Sequence, residues 1–228
     1  IAMVIEQRSG WTALTTACMC GLALTLLATN RPGIGALLRA IAAAMLVPSL
    51  AVLILCLGAE ILKISASPVV LPVIAALIAL ALATSKELFA LVPNHARFAR
   101  LAFEASTLIA AAITVLLALT RDAAGLGTAC IVFIFLGLGT AMFARLGGRP
   151  YGWWLAGLSF TGALWCALGL AKVEVFEAYS LPPALGASIL AAWLTVRGSR
   201  QIALYSVGLA TAILPVLALI TQTDEATN

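Results

Sequence analysis

From Tyr151 to Ala171 the chain runs without a single charge, and beyond a short acidic link, Lys172 to Ser180, a second uncharged run extends from Leu181 to Val196. A helix rises about 1.5 Å per residue, so the first run reaches roughly 31 Å, the depth of a bilayer's hydrocarbon core. Tyr151, Trp153 and Trp154 stand at one end and Tyr179 at the other, where aromatic side chains anchor a span at the membrane interface. Ser180 is placed to cap the second helix, with Pro182 and Pro183 in its first turn, where amide N–H groups lack helical partners anyway. The pair reads as a transmembrane helical hairpin.

The rest of the chain repeats that logic. It is 63% hydrophobic and 10% charged, whereas a soluble domain carries about 25% charge. Too little polar surface remains to face water, which excludes a soluble helical bundle. The runs are continuous and rich in Leu and Ala, without the two-residue alternation of a membrane β-barrel. The expected fold is an all-α integral membrane protein of about eight transmembrane helices. The first six cover Trp11 to Ala28, Ala36 to Leu62 with Pro48 as a kink, Pro68 to Thr84 with Ser67 as cap, Arg97 to Thr120, Ala123 to Ala144, and Tyr151 to Ala171. Leu181 to Val196 is the seventh and Ile202 to Thr221 the eighth. Short links make sequential helices antiparallel neighbours. The longer link, Ser85 to Ala96, is expected to lie along the interface.

Charge sets the orientation. The links after the odd-numbered spans hold Arg31, Arg39, Lys86, Arg97, Arg100, Arg145, Arg149, Arg197 and Arg200, against Arg8, Lys63, Arg121 and Lys172 on the other side. The positive-inside rule makes the first side cytoplasmic and both termini extracytoplasmic. The net charge of +4 reflects this topology, with no patch suited to nucleic acid. The chain opens on Ile1 with no signal peptide before the first span, so missing N-terminal spans are an expectation.

An internal repeat is visible at an offset of 111 residues, where Leu57 to Pro72 falls on Leu168 to Pro183. Spans one to four then fall near spans five to eight, so residues 1–120 and 121–228 read as two parallel four-helix repeats.

Few residues in this chain suggest chemistry. Glu104 lies about two turns into the fourth span, and a carboxylate in that setting needs a partner or a function. Arg100 stands four residues earlier, on the same face, and Arg97 a turn beyond, so a local ion pair and a proton- or ligand-handling role both stay open. Arg39, near the cytoplasmic end of the second span, can snorkel to the interface. Glu60, Lys63, Lys172, Glu174 and Glu177 decorate the outer links, and Glu177 precedes a helix N-terminus that favours an anion. His95, the one histidine, has no neighbours that would make a metal site or a triad.

Cys18, Cys20, Cys56, Cys130 and Cys166 sit in apolar runs as small packing residues and form no metal-binding pattern. No nucleotide-binding or hydrolase motif occurs, and no cofactor is expected. Small residues recur every four positions, as in Ala163, Ala167 and Ala171, or Gly137 and Ala141, which lets helices approach closely.

Arg149 to Ile220 carries an aromatic-started span with Trp153, Trp154 and Trp165, then Glu177-Ala178-Tyr179-Ser180-Leu181-Pro182-Pro183-Ala184-Leu185, then a last span with Gly208 and Leu214-Pro215. This resembles a group of large, many-spanning membrane proteins of actinobacteria, whose pattern is Glu-Ala-Tyr-Thr-Leu-Pro-Pro-Ala-Leu. The chain departs from that pattern at Ser180 and at Tyr205, where the group has Thr and Trp. The resemblance covers about a third of the chain and implies architecture and lineage, with no activity attached.

The expected setting is therefore a bacterial plasma membrane, with membrane lipid around the chain. One expected role is a non-enzymatic scaffold or subunit packing against membrane-protein partners of a cell-envelope complex. The alternative is a transporter or lipid-handling protein with its pathway between the two four-helix halves.

Overall fold

A computed structural model describes residues 2–29, 35–61, 69–92, 96–120, 125–173, 175 and 177–196. The helices are α1 (Ala2–Ala28), α2 (Ala36–Ile61), α3 (Val70–Ala90), α4 (Ala96–Leu119), α5 (Gly125–Gly147), α6 (Tyr151–Leu170) and α7 (Glu177–Val196). No strand occurs among the described residues. Six of these helices contain stretches long and apolar enough to cross a membrane, from Gly10–Ala28 in α1 to Tyr151–Leu170 in α6. Helices suit such sequences because each satisfies its own backbone polar groups where water is absent.

Several expected boundaries move, among them the first, where α1 begins at Ala2 rather than at Trp11. The third helix does not stop at Thr84: α3 continues to Ala90, so the first half of the expected interfacial link is its last turns, with Ser85 and Phe89 buried. The cause is periodicity, since Ile78, Leu82, Ser85 and Phe89 continue one helical face past the charges Lys86 and Glu87. The seventh helix begins at Glu177 rather than at Leu181, which places Ser180 inside it as a buried residue and not as its cap. Ser67 and the eighth expected span, Ile202 to Thr221, lie outside the described residues.

The chain divides into compact units Ile1–Ala163 and Leu164–Asn228, a division that falls inside α6. The expected repeat boundary at 120/121 lies within the first unit. There α1 packs along α2, α2 against α4, and α3 against both α4 and α5. Helix α4 shows the pattern for a helix between protein and lipid. Ala99, Phe103, Thr107, Ala110, Thr114 and Ala118 are buried, while Leu101, Ile109, Ile113 and Leu116 face outward. Phe103 meets Phe89 of α3 with ring centroids 5.1 Å apart.

α3 and α5 approach closely at Gly139, where a Cβ would collide with the backbone of Ala79. Gly137 lies beneath the ring of Phe160 and Gly162 beneath that of Phe133, so α5 and α6 each offer a glycine to the other's phenylalanine. Three buried threonine hydroxyls turn back on their own helices: Thr107 donates to the Phe103 carbonyl (2.6 Å), Thr114 to Ala110 (2.7 Å) and Thr140 to Leu136 (2.7 Å).

In the second unit α6 ends in a left-handed residue, Lys172 (φ 52°). The Val173 N–H donates to the Leu168 carbonyl (3.1 Å) and the Lys172 N–H to Gly169 (3.1 Å), the bond pair of a Schellman motif. Pro182 and Pro183 then lie inside α7. Pro183 has no N–H to donate to the carbonyl of Tyr179, four residues back. The Trp165 indole N–H supplies that bond instead at 2.7 Å, and the Tyr179 hydroxyl donates to the Val173 carbonyl at 2.9 Å. One tryptophan and one tyrosine thus each supply a donor to an open carbonyl, at Tyr179 and at Val173.

Candidate functional site

The end of α3, the start of α4, the end of α5 and the start of α6 come together around Glu104. Its position in α4 follows from helical spacing: Ala99, Phe103 and Thr107 define the buried face, and Glu104 flanks it. The Glu104 side chain is 3% exposed, against 19% for Arg100 and 33% for Arg149. Arg100, one turn earlier, donates through Nε to Oε1 at 2.6 Å. Ser85 of α3 donates its hydroxyl to the same oxygen at 3.3 Å. Arg149, in the link between α5 and α6, donates through Nε to Oε2 at 3.0 Å, with its Nη2 at 2.9 Å from that atom. An ionised carboxylate accepts on both oxygens, and here Oε1 takes two hydrogen bonds and Oε2 one, with the second Arg149 nitrogen in ion-pair contact.

Arg100 also ties the site to α5, donating through Nη2 to the Gly147 carbonyl at 2.8 Å. That carbonyl belongs to the last turn, where no helical N–H follows to bind it and a cation is favoured. Gly148 supplies the left-handed residue after α5 (φ 69°), which reverses the chain and brings Arg149 back over α4. Phe143 and Tyr151 close the flank edge-on, with ring centroids 5.7 Å apart.

In front of this cluster lies an open cleft of about 390 Å³, lined by Arg97, Arg100, Leu101, Gly147, Gly148 and Arg149. Glu104 does not line it. The carboxylate sits behind the guanidinium groups, so the cleft presents three cations and no acid.

The ion pair between Arg100 and Glu104, expected from their spacing, forms. Ser85, Gly147 and Arg149 were not anticipated as its partners. The signal for Arg149 was its place on the same basic side as Arg100; nothing local linked the two across the intervening chain. Arg39 does not join the site and does not snorkel outward. It is 1% exposed and donates from Nη2 to the Thr29 carbonyl at 3.0 Å, at the C-terminal end of α1. A helix end with open carbonyls holds a guanidinium inside the unit, and this outweighs its drift toward water. Glu177 opens α7, but its side chain, like Glu60, Lys63, Glu174 and His95, lies outside the described residues. The cysteines form no disulfide, and Cys130 donates to the Ala163 carbonyl at 3.4 Å.

The six helices of crossing length and apolarity are those of a multi-pass membrane protein, all-helical among the described residues. Compared with known proteins, the chain has no significant match to a family model, a curated protein or a solved structure.

Proposed function

We propose that this is a non-enzymatic membrane subunit or scaffold of a bacterial plasma membrane, packing against other membrane proteins of a cell-envelope complex. The observation that carries this reading is the engagement of both Glu104 oxygens by protein donors. A carboxylate that couples transport to protons or ions needs a position open to its cargo, whereas here Oε1 accepts from Arg100 and Ser85, Oε2 accepts from Arg149, and the side chain is 3% exposed. Thr107, Thr114 and Thr140 are likewise committed to their own helices. The transporter reading, with a path between four-helix halves, asks for polar groups that turn toward a pathway, and these do not. The lineage suggested by the Glu177 to Leu185 motif agrees with the bacterial setting.

The test is purification from native membrane in a mild detergent followed by native mass spectrometry, with Glu104→Gln alongside. A stoichiometric membrane-protein partner, retained by a Glu104→Gln variant that melts lower, supports a scaffold. Solute flux in proteoliposomes of the protein alone, abolished in a fully folded Glu104→Gln variant, would overturn it.

A further inference from the structure

We infer that the cleft beside Glu104 is a binding site for a phosphate group, supplied by the headgroup of an anionic phospholipid. Three guanidinium groups, from Arg97, Arg100 and Arg149, line one opening, and the nearby carboxylate is turned away behind two of them. Counting Glu104, the cluster keeps an excess of two positive charges in a region bounded by apolar helices. Like charges gathered this closely repel one another unless an anion joins them.

The donors for that anion are available. A guanidinium has five N–H donors in a planar fork that suits phosphate oxygens. Arg100 commits donors to Glu104 and the Gly147 carbonyl, and Arg149 commits donors to Glu104 alone, so both keep N–H groups on the cleft side. Arg97 is exposed and has no side-chain partner among the described residues. Gly148 adds an open approach, since a Cβ there would meet nothing within 4 Å.

Position selects the source of the phosphate. The cleft sits where α4 and α6 begin and α5 ends, at the ends of three membrane-crossing helices, which is the depth of lipid headgroups. Leu101 forms its apolar wall and is exposed on the lipid side of α4, with exposed Phe98 beside it. A soluble phosphate would gain nothing from that wall, whereas an acyl chain entering the bilayer would lie along it. Basic pockets between membrane helices bind acidic headgroups in this way. The site is independent of whether the protein acts as a scaffold.

The experiment uses the full chain in nanodiscs of phosphatidylcholine with increasing phosphatidylglycerol, read by native mass spectrometry of retained lipid and by thermal unfolding. Phosphatidylglycerol is expected to be retained and to raise the melting temperature above that in phosphatidylcholine alone. Arg97→Gln leaves the Glu104 ion pairs intact, so its melting temperature in pure phosphatidylcholine should match the wild type. Its affinity for phosphatidylglycerol should fall about fivefold, the loss of one interfacial cation. Equal retention of the two lipids, or an unchanged affinity in Arg97→Gln, overturns the site. Inorganic phosphate that displaces phosphatidylglycerol at an equal concentration overturns the lipid as its source.

Discussion

Two clusters keep polar groups satisfied inside apolar helices, and they do it by opposite means. Around Glu104 the solution is charge: one carboxylate draws Arg100, Arg149 and Ser85 onto itself and joins α3, α4 and the link into α6. Around Tyr179 no charge is involved. Trp165 donates to a carbonyl that Pro183 leaves without a helical partner, and Tyr179 returns a bond to Val173. The ionic cluster links distant segments, while the neutral one closes a hairpin between neighbours. The difference teaches what each failure costs: a buried ion without its partner is far more expensive than one open carbonyl.

The largest effect should come from stripping Glu104 of both cations. Arg100→Leu with Arg149→Leu leaves the carboxylate bare in an apolar setting and is expected to destabilise the protein by about 3–5 kcal/mol. Adding Glu104→Leu removes the orphaned charge, so the triple variant should recover most of that loss. Thermal unfolding in detergent measures both. A triple variant as unstable as the double would show that the cluster works by packing rather than by charge.

Trp165→Phe should cost less, about 1–3 kcal/mol, because it strands one neutral carbonyl. The comparison sharpens in a Pro183→Ala background, where residue 183 regains an N–H for the Tyr179 carbonyl. There the same tryptophan change should be nearly neutral, and the double-mutant cycle gives the coupling directly. Additive losses would mean that the indole bond and the proline are unrelated. Below this lies Tyr179→Phe, which removes one hydroxyl donor to Val173 and should cost about 0.5–1.5 kcal/mol by the same assay.

Much of this was legible in the chain before any coordinates. Long uncharged runs identify helices that need lipid, because length and apolarity alone decide whether a segment can cross. The spacing from Arg100 to Glu104 identifies an ion pair, because 3.6 residues per turn brings the two together. Ser85 and Arg149 were hidden because their contact depends on how α3, α4 and α6 pack, which no local spacing encodes. The inward place of Arg39 is hidden for a related reason: it donates to a backbone carbonyl at Thr29, and carbonyls leave no mark on composition. α7 starts earlier than its prolines suggest, since two prolines normally mark a first turn, whereas here the Trp165 indole bonds the carbonyl that Pro183 leaves open inside the helix.

The smallest effect expected is a gain, at Lys172, where the hairpin reverses. Its left-handed backbone places a Cβ against a carbonyl, a conformation that glycine adopts without that strain. Both Schellman bonds at this turn, Val173 to Leu168 and Lys172 to Gly169, use backbone atoms and survive the substitution. Lys172→Gly should therefore stabilise the second unit by about 0.5–1 kcal/mol, reduced somewhat by the greater freedom of glycine in the unfolded chain. It should leave the Glu104 cluster untouched, so the gain should persist in full when combined with the Arg100→Leu and Arg149→Leu double variant. A gain that vanishes in that combination would show that the charged and neutral clusters unfold as one cooperative block, and that the contrast between them is one of chemistry and not of independence.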